Sequence, residues 1–235
     1  MEYVTLNNGV QMPMVGFGVF EIPAEQTAGC VFDALESGYR LIDTAQAYYN
    51  EKEVGNGIQR AIKELGIRRE DIFLTTKVWV TEFGYEKAKA SVEESLRKLQ
   101  TDYLDLVLIH QCLSDYYGAY LALEDLYDAG KIRAIGISNF SAERMADIAT
   151  FNRVVPAVNQ VETHLFWQQY DLHEWMAKYN IQHEAWGASC PASAERNPRK
   201  PHRKADRGCP RENARAGRSP AACSARHCRN SQECA

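Results

Sequence analysis

The 235-residue sequence predicts an α/β protein of the (β/α)8, TIM-barrel type, opened by an N-terminal β-hairpin and truncated after about seven strands. Three observations lead there. Short apolar runs alternate with amphipathic stretches, the pattern of repeated βα units that build a parallel sheet. Several of the apolar runs close on a conspicuous polar residue. The alternation stops after a seventh run, short of the eight strands and roughly 250 residues of a complete barrel. A doubly wound sheet is the alternative, and it is disfavoured because Gly16-Phe17-Gly18 is followed neither by a third spaced glycine nor by a helix.

Residues 3–12 read as two short strands around Asn7-Asn8-Gly9, since Asn-Gly supplies the positive φ angles of a tight hairpin turn. Buried strands follow at 14–18, 40–43, 72–77, 104–110, 134–138, 157–160 and 181–186. Helices fall near 24–37, 52–65, 85–99, 119–129, 142–151 and 170–179, and the third sets Ala88, Val92, Leu96 and Leu99 at helical spacing. Asp43, Lys77, His110, Ser138-Asn139 and Gln160 close strands, at the end of a barrel where enzymes hold their chemistry.

With 45% hydrophobic and 25% charged residues, collagen-like, wholly disordered and multi-span membrane classes are excluded. The average conceals a break. Residues 188–235 contain no Leu, Ile, Val, Met, Phe, Tyr or Trp, and their eleven Lys and Arg against four Asp and Glu give +7. The first 187 residues therefore carry −11. Two units are expected, a barrel over 1–187 and a disordered, basic Arg/Ala/Pro/Cys-rich tail over 188–235. Only Cys30 and Cys112 lie in the body, which together with the absence of a basic, apolar leader or an 18-residue apolar run points to a cytoplasmic protein without a membrane partner. Cys223, Cys228 and Cys234 lack the paired CxxC spacing of a zinc site, so no metal is expected. The basic balance of the tail has no aromatic interleaving or recognition helix, so no specific nucleic-acid partner is expected.

The segment Asp43-Thr44-Ala45-Gln46-Ala47-Tyr48-Tyr49-Asn50-Glu51-Lys52-Glu53-Val54-Gly55 resembles the aldo-keto reductase family. The resemblance continues through Leu99-Gln100-Thr101-Asp102-Tyr103-Leu104-Asp105-Leu106-Val107-Leu108-Ile109-His110 and Gly136-Ile137-Ser138-Asn139-Phe140, and covers essentially all of residues 1–187. Within the family, the general run of the sequence, including His183-Glu184-Ala185-Trp186-Gly187, is most similar to the bacterial 2,5-diketo-D-gluconate reductase branch. The resemblance implies Tyr48 as proton donor, Lys77 and Asp43 as its charged neighbours, and His110 as the group that orients a substrate carbonyl. The chemistry has an independent rationale. Reduction of a carbonyl by hydride leaves an alkoxide that must take a proton, and a tyrosine with an ordinary pKa near 10 donates it better beside a cation. Singly, Asp43 reads as a strand-end cap, Lys77 as a solvated lysine and His110 as a core histidine. Together at strand ends, in the family's spacing, they read as a site. Tyr49 is an equal candidate from chemistry alone, and only the spacing of five from Asp43 selects Tyr48.

The same resemblance assigns Ser138, Asn139 and Gln160 to a nicotinamide carboxamide and Trp186 to stacking on its ring. Amide side chains supply the paired donors and acceptors and an aromatic supplies the flat face. NADPH is the cofactor the family implies, and a small carbonyl compound such as a diketo sugar acid is the substrate. Phe20, Tyr49 and Trp79 are placed with His110 at the substrate mouth. Cys112 departs from the proline the family often carries after the histidine, which leaves the loop's path open. A Cys112 thiolate nucleophile is disfavoured because His110, two residues away, has no third orienting group behind it.

After Gly187 the family continues with a cofactor-pyrophosphate loop, a seventh helix, an eighth strand and a basic motif for the adenosine 2′-phosphate, none of which is present. Back-translated one nucleotide later, residues 227–235 permit Ile-Val-Ala-Ile-Pro-Lys-Ser-Val. In the same frame 212–226 permit Lys-Thr-Pro-Ala-Gln-Val-Val-Leu-Arg and Leu-Val-Gln-Arg-Gly, with one mismatch at Ala221. Both stretches are family-like, as one inserted nucleotide near codons 187–190 predicts. The expected function is NADPH-dependent reduction of an aldehyde or ketone by a monomeric enzyme. The alternative is an inactive, frameshifted remnant without a working cofactor pocket, its open strand edges and bare apolar face prone to aggregation or association.

Overall fold

The computed structural model describes residues 1–188 and 233–234. Strands β1 (Tyr3–Thr5) and β2 (Gln11–Pro13) pair antiparallel as a hairpin, with Gly9 at φ +85° in the connection. Seven strands, β3 (Gly16–Gly18), β4 (Leu41–Asp43), β5 (Phe73–Val78), β6 (Leu106–Ile109), β7 (Ile135–Ser138), β8 (Val158–Glu162) and β9 (Gln182–Trp186), then pair in parallel in chain order. The helices α1 (Ala24–Glu36), α2 (Glu51–Leu65), α3 (Tyr85–Leu99), α4 (Tyr116–Asp128), α5 (Ala142–Phe151) and α6 (Tyr170–Lys178) connect them. The barrel-type α/β fold expected from the alternation is present, with each of its seven strands and six helices within a few residues of the expected place.

The disordered segment expected at 188–235 lies outside the described residues, apart from Ala188 and a two-residue strand. That strand, β10 (Glu233–Cys234), is a correction: the composition assigned no element there, yet its backbone pairs antiparallel with Phe17 and Gly16 on the outer edge of β3. An open edge offers main-chain donors and acceptors to any extended partner, whatever its side chains. The sheet thus runs β10-β3-β4-β5-β6-β7-β8-β9, and β9 has no ladder neighbour on its outer side among the described residues.

Alternation along the parallel strands sorts their residues into two environments. Ile42, Leu74, Val107, Ile109, Ile135 and Ile137 pack outward with the helices, in the larger core cluster. Leu41, Phe73, Leu106, Leu108, Ala134, Ala157 and Val158 pack together inside, with Leu6 and Met12 of the hairpin. The hairpin therefore plugs the N-terminal mouth. Asn7 Nδ2 donates to the Pro156 carbonyl at 2.9 Å and Asn8 Nδ2 to that of Arg133 at 2.8 Å, tying the plug to the loops that enter β8 and β7. With that end closed by apolar packing, the polar inward residues are left at the opposite, C-terminal end.

Helix α2 is wedged between α1 and α3 by two glycines. A Cβ on Gly55 would lie 2.6 Å from the Lys98 carbonyl oxygen, and one on Gly57 2.7 Å from that of Ala28. Both obstacles are backbone, which cannot rotate away. Gly55→Ala is accordingly expected to destabilise the fold by about 1–3 kcal/mol, net of the alanine's better helix propensity, as a lowered urea midpoint with an unchanged slope. A midpoint at or above that of the parent chain contradicts the close approach.

Candidate active site

Five of the sequence-predicted residues sit on inward positions at the C-terminal ends of consecutive strands. Asp43 ends β4, Lys77 is the penultimate residue of β5, His110 follows β6, Ser138 ends β7 and Gln160 lies within β8. Asp43 and Lys77 are 2% and 1% exposed, and they form an ion pair through Asp43 Oδ1. Lys77 Nζ also donates to the Thr44 carbonyl at 3.1 Å and to Tyr48 Oη at 3.2 Å. Gln160 Nε2 donates to Asp43 Oδ2 at 3.0 Å. The ammonium thus stands between a carboxylate that holds it charged and a phenol that faces the open end of the barrel.

Local backbone geometry decides between the two tyrosines. Tyr48 closes a single 3-10 turn, Gln46–Tyr48, whose last residue is followed by Tyr49 in the left-handed region at φ +58°. That reversal turns Tyr48 toward Lys77 and leaves Tyr49 87% exposed. Tyr49 lines a separate hollow with Gln46, Trp79 and residues of α3, and it is not brought to the mouth over His110. Phe20 and Trp79 are. The Phe20 ring lies 5.0 Å from that of Tyr48, and Trp79 stands edge-on to His110 at 4.9 Å.

The His110 ring is itself edge-on to Tyr48 at 5.8 Å. Burial first, and then the Lys77 charge, drive its pKa from the usual 6.5 down to about 3. The imidazole is neutral at any physiological pH, and its buried Nδ1 has no hydrogen-bond partner among the described residues.

Ser138, Asn139 and Trp186 interlock. Ser138 Oγ donates to the Gln160 carbonyl at 2.9 Å, Asn139 Nδ2 donates to the His110 carbonyl and to Ser138 Oγ, both at 3.1 Å, and the Trp186 indole donates to Asn139 Oδ1 at 3.0 Å. Asn139 adopts φ +62°, which its short amide side chain tolerates better than most. Cys112 is half-buried, and burial pushes its thiol up despite nearby Arg144, so no thiolate stands beside His110.

Two contributors were not singled out from the sequence. Gln46 accepts the Trp79 backbone N–H at 3.0 Å and reaches Ser91 and Ser95 of α3, at 3.1 and 3.2 Å, binding the tyrosine turn to the tryptophan loop. Glu184 on β9 is buried beside Asp43 and Gln160, and burial first, then the Asp43 charge, push its carboxyl up to about 7. Its signal was available: two residues before Trp186, it takes the same inward parity of the strand.

A parallel barrel sheet of this kind has counterparts among known proteins. The chain belongs to the aldo/keto reductase family, whose sequence pattern matches residues 14–223. It is 47% identical over 184 residues to the uncharacterized oxidoreductase YtbE of Bacillus subtilis, covering 77% of this chain and 66% of that protein. It is 46% identical over 187 residues to a glyoxal reductase of the same organism, covering 79% and 66%. An aldo-keto reductase of Bombyx mori solved in complex with NADP superposes with a TM-score of 0.76 at 31% identity, over 78% of this chain and 65% of that one. The chain therefore spans just under two thirds of the length of these curated relatives. No described helix is long and apolar enough to cross a membrane.

The His110 environment makes a testable statement about protons. Because its folded pKa lies below its unfolded one, the unfolded chain binds more protons between about pH 3 and 6.5, and this group's contribution to stability rises with pH across that window. Long-range 15N spectra of the imidazole are expected to stay in the neutral form from pH 5 to 8. A titration within that range contradicts the geometry.

Proposed function

We propose that the chain carries the site of an NADPH-dependent reductase that converts a small aldehyde or ketone to an alcohol. The observation that carries this reading is Lys77 Nζ, held by buried Asp43 and set 3.2 Å from Tyr48 Oη beneath a neutral His110. Tyr48 donates its hydroxyl proton to the carbonyl oxygen as that oxygen becomes an alkoxide. Lys77 stabilises the phenolate left behind, and Asp43 keeps Lys77 charged and in place. His110, neutral, presents a ring N–H to the same oxygen and orients the carbonyl against Tyr48. Phe20 and Trp79 frame the approach with apolar surface. A small dicarbonyl fits this polar floor and aromatic rim, and the similar Bacillus subtilis protein is a glyoxal reductase.

The residues at hand suit a nicotinamide cofactor, which when bound supplies the hydride. Gln160 Oε1 accepts no hydrogen bond from any described residue and is the acceptor that a carboxamide N–H requires. Asn139 would give the carboxamide oxygen a donor by exchanging its bond to Ser138 for it, with Ser138 beside it, and Trp186 would lie against the ring. No described residue is assigned to the adenosine half of the cofactor.

Tyr48→Phe is expected to lower kcat for NADPH-dependent glyoxal reduction by about 10²–10⁴-fold while calorimetry shows unaltered NADPH affinity. Lys77→Met is expected to do the same. Retention of kcat within tenfold in both variants, or no turnover by the parent chain, overturns the assignment.

A second reading concerns this chain alone: residues 1–187 are a reductase body, and 188–235 are its continuation read out of frame. It is favoured by the absence of every large apolar residue from 188 onward and by pairwise similarity to relatives over only 184–187 residues, while the family pattern itself runs on to residue 223. On this reading the body is a remnant without saturable NADPH binding. Resequencing of genomic DNA across codons 180–235 is expected to show one superfluous nucleotide near codons 187–190. A confirmed frame, with a C-terminal peptide of the present sequence found by mass spectrometry and saturable NADPH binding, refutes it.

A further inference from the structure

Asn50 stands where α2 begins, and an asparagine in that place ordinarily turns its side chain onto the free N–H groups of its own helix. This one makes no such cap. It is 1% exposed, and its amide spans two other segments. Nδ2 donates to the Val19 carbonyl at 3.1 Å and to the Ile22 carbonyl and Thr27 Oγ1, both at 3.4 Å, while Oδ1 accepts the Thr44 hydroxyl at 3.2 Å. The two carbonyls can only accept, so chemistry fixes which end of the amide faces them.

Val19 and Ile22 are the ends of a tight turn, closed by the Ile22 N–H on the Val19 carbonyl at 3.2 Å, with Glu21 left-handed at φ +62°. A glutamate keeps that backbone only where its surroundings impose it. Both ends of the turn are buried, and between them Phe20, 42% exposed, comes within 5.0 Å of the Tyr48 ring. On the other side of the amide, Thr44 follows Asp43 and gives its carbonyl to Lys77 at 3.1 Å. The Val19 N–H also donates to the Asp43 carbonyl at 3.0 Å. A buried amide therefore joins the segment behind the Asp43–Lys77 pair to the turn that presents Phe20.

We propose that Asn50 is a positioning residue for the substrate mouth: it bolts the Phe20 turn to Thr44 and so fixes how far the Phe20 ring stands from Tyr48. Its bearing on a substrate rests on the function proposed above. The separation matters to a carbonyl compound with an aromatic group, which must lie against Phe20 while its oxygen reaches Tyr48. Glyoxal has no such group.

The test uses the full chain with Asn50→Ser, Thr44→Val and Phe20→Ala. Serine is as good as asparagine at the start of a helix but too short to span the two segments, so the start of α2 is expected to hold while the bolt is lost. Thr44→Val keeps the side-chain shape, removes only the hydroxyl that Asn50 accepts, and decides the matter if Asn50→Ser does not fold. With 4-fluorophenylalanine in place of Phe20 and no nucleotide present, one 19F line is expected in the parent chain. It is expected to move toward the position of the free amino acid in Asn50→Ser and, to a smaller degree, in Thr44→Val. With NADPH, the ratio of kcat/KM for phenylglyoxal to that for glyoxal is expected to fall by about three- to tenfold in Asn50→Ser, the worth of one aromatic pair, through KM for phenylglyoxal. In the Phe20→Ala background the same substitution is expected to change the ratio by less than about twofold. A general loss of stability lowers both substrates alike and acts in both backgrounds. An unmoved 19F line, an unchanged ratio, or an equal change without the Phe20 ring, in a folded variant, overturns the inference. A parent chain that turns over neither substrate while the 19F line moves as expected supports the bolted turn and sinks the reductase reading instead.

Discussion

The buried pair of Lys77 and Asp43 is the constraint around which the open end of the barrel is arranged. Each residue is almost without water, and a lone charge in that position would neutralise or unfold its surroundings. The pair is tolerable because its remaining valences are met: Lys77 by the Thr44 carbonyl and Tyr48, Asp43 by Gln160. Removing either partner of such a pair costs about 3–5 kcal/mol in comparable interiors. Strand register follows from the same requirement. Asp43 stands opposite Thr75, and Lys77, two residues further along β5 and on the same face, reaches back across the ladder. A slip of one residue would turn either side chain outward into the helices and leave its partner stranded.

The two ends of the barrel interior consequently bear different burdens. At the N-terminal end the inward layer is Leu41, Phe73 and Leu106 under the hairpin's Leu6 and Met12, a packing problem solved by volume. At the other end the inward layer is Asp43, Lys77, Ser138, Gln160 and Glu184, a problem of satisfying polar groups. The division is visible within single strands: β5 begins with a phenylalanine in apolar contact and approaches its end with a buried ammonium.

Much of this was legible in the sequence because period-two strands and polar strand endings are local signals. The helices were equally local, since their buried residues recur at three and four. Tyr48 was legible only through the family's spacing; the distinction from Tyr49 lies in a left-handed backbone that no residue pattern around it announces. Gln46 was missed because its partners, Ser91, Ser95 and the Trp79 amide, are more than thirty residues away and join it only through packing of α3. Glu184 was passed over as part of a strand because one acid between His183 and Ala185 has no meaning until Asp43 and Gln160 are placed beside it. The pairing of Glu233 and Cys234 with β3 was illegible for another reason: backbone ladders do not consult side-chain type.

The placement of tryptophans gives the molecule a built-in optical readout. Trp79 stands against His110 and Trp186 against Asn139, both half-buried at the open end, whereas Trp167, in the loop after β8, and Trp175, on α6, are 51% and 40% exposed. An aqueous quencher such as iodide silences the second pair first, so the residual emission reports the occupancy and polarity of the barrel mouth. The neutral imidazole beside Trp79 matters here too, since a protonated ring would quench that indole. Protonation of His110 is therefore not a source of change in the Trp79 emission at physiological pH.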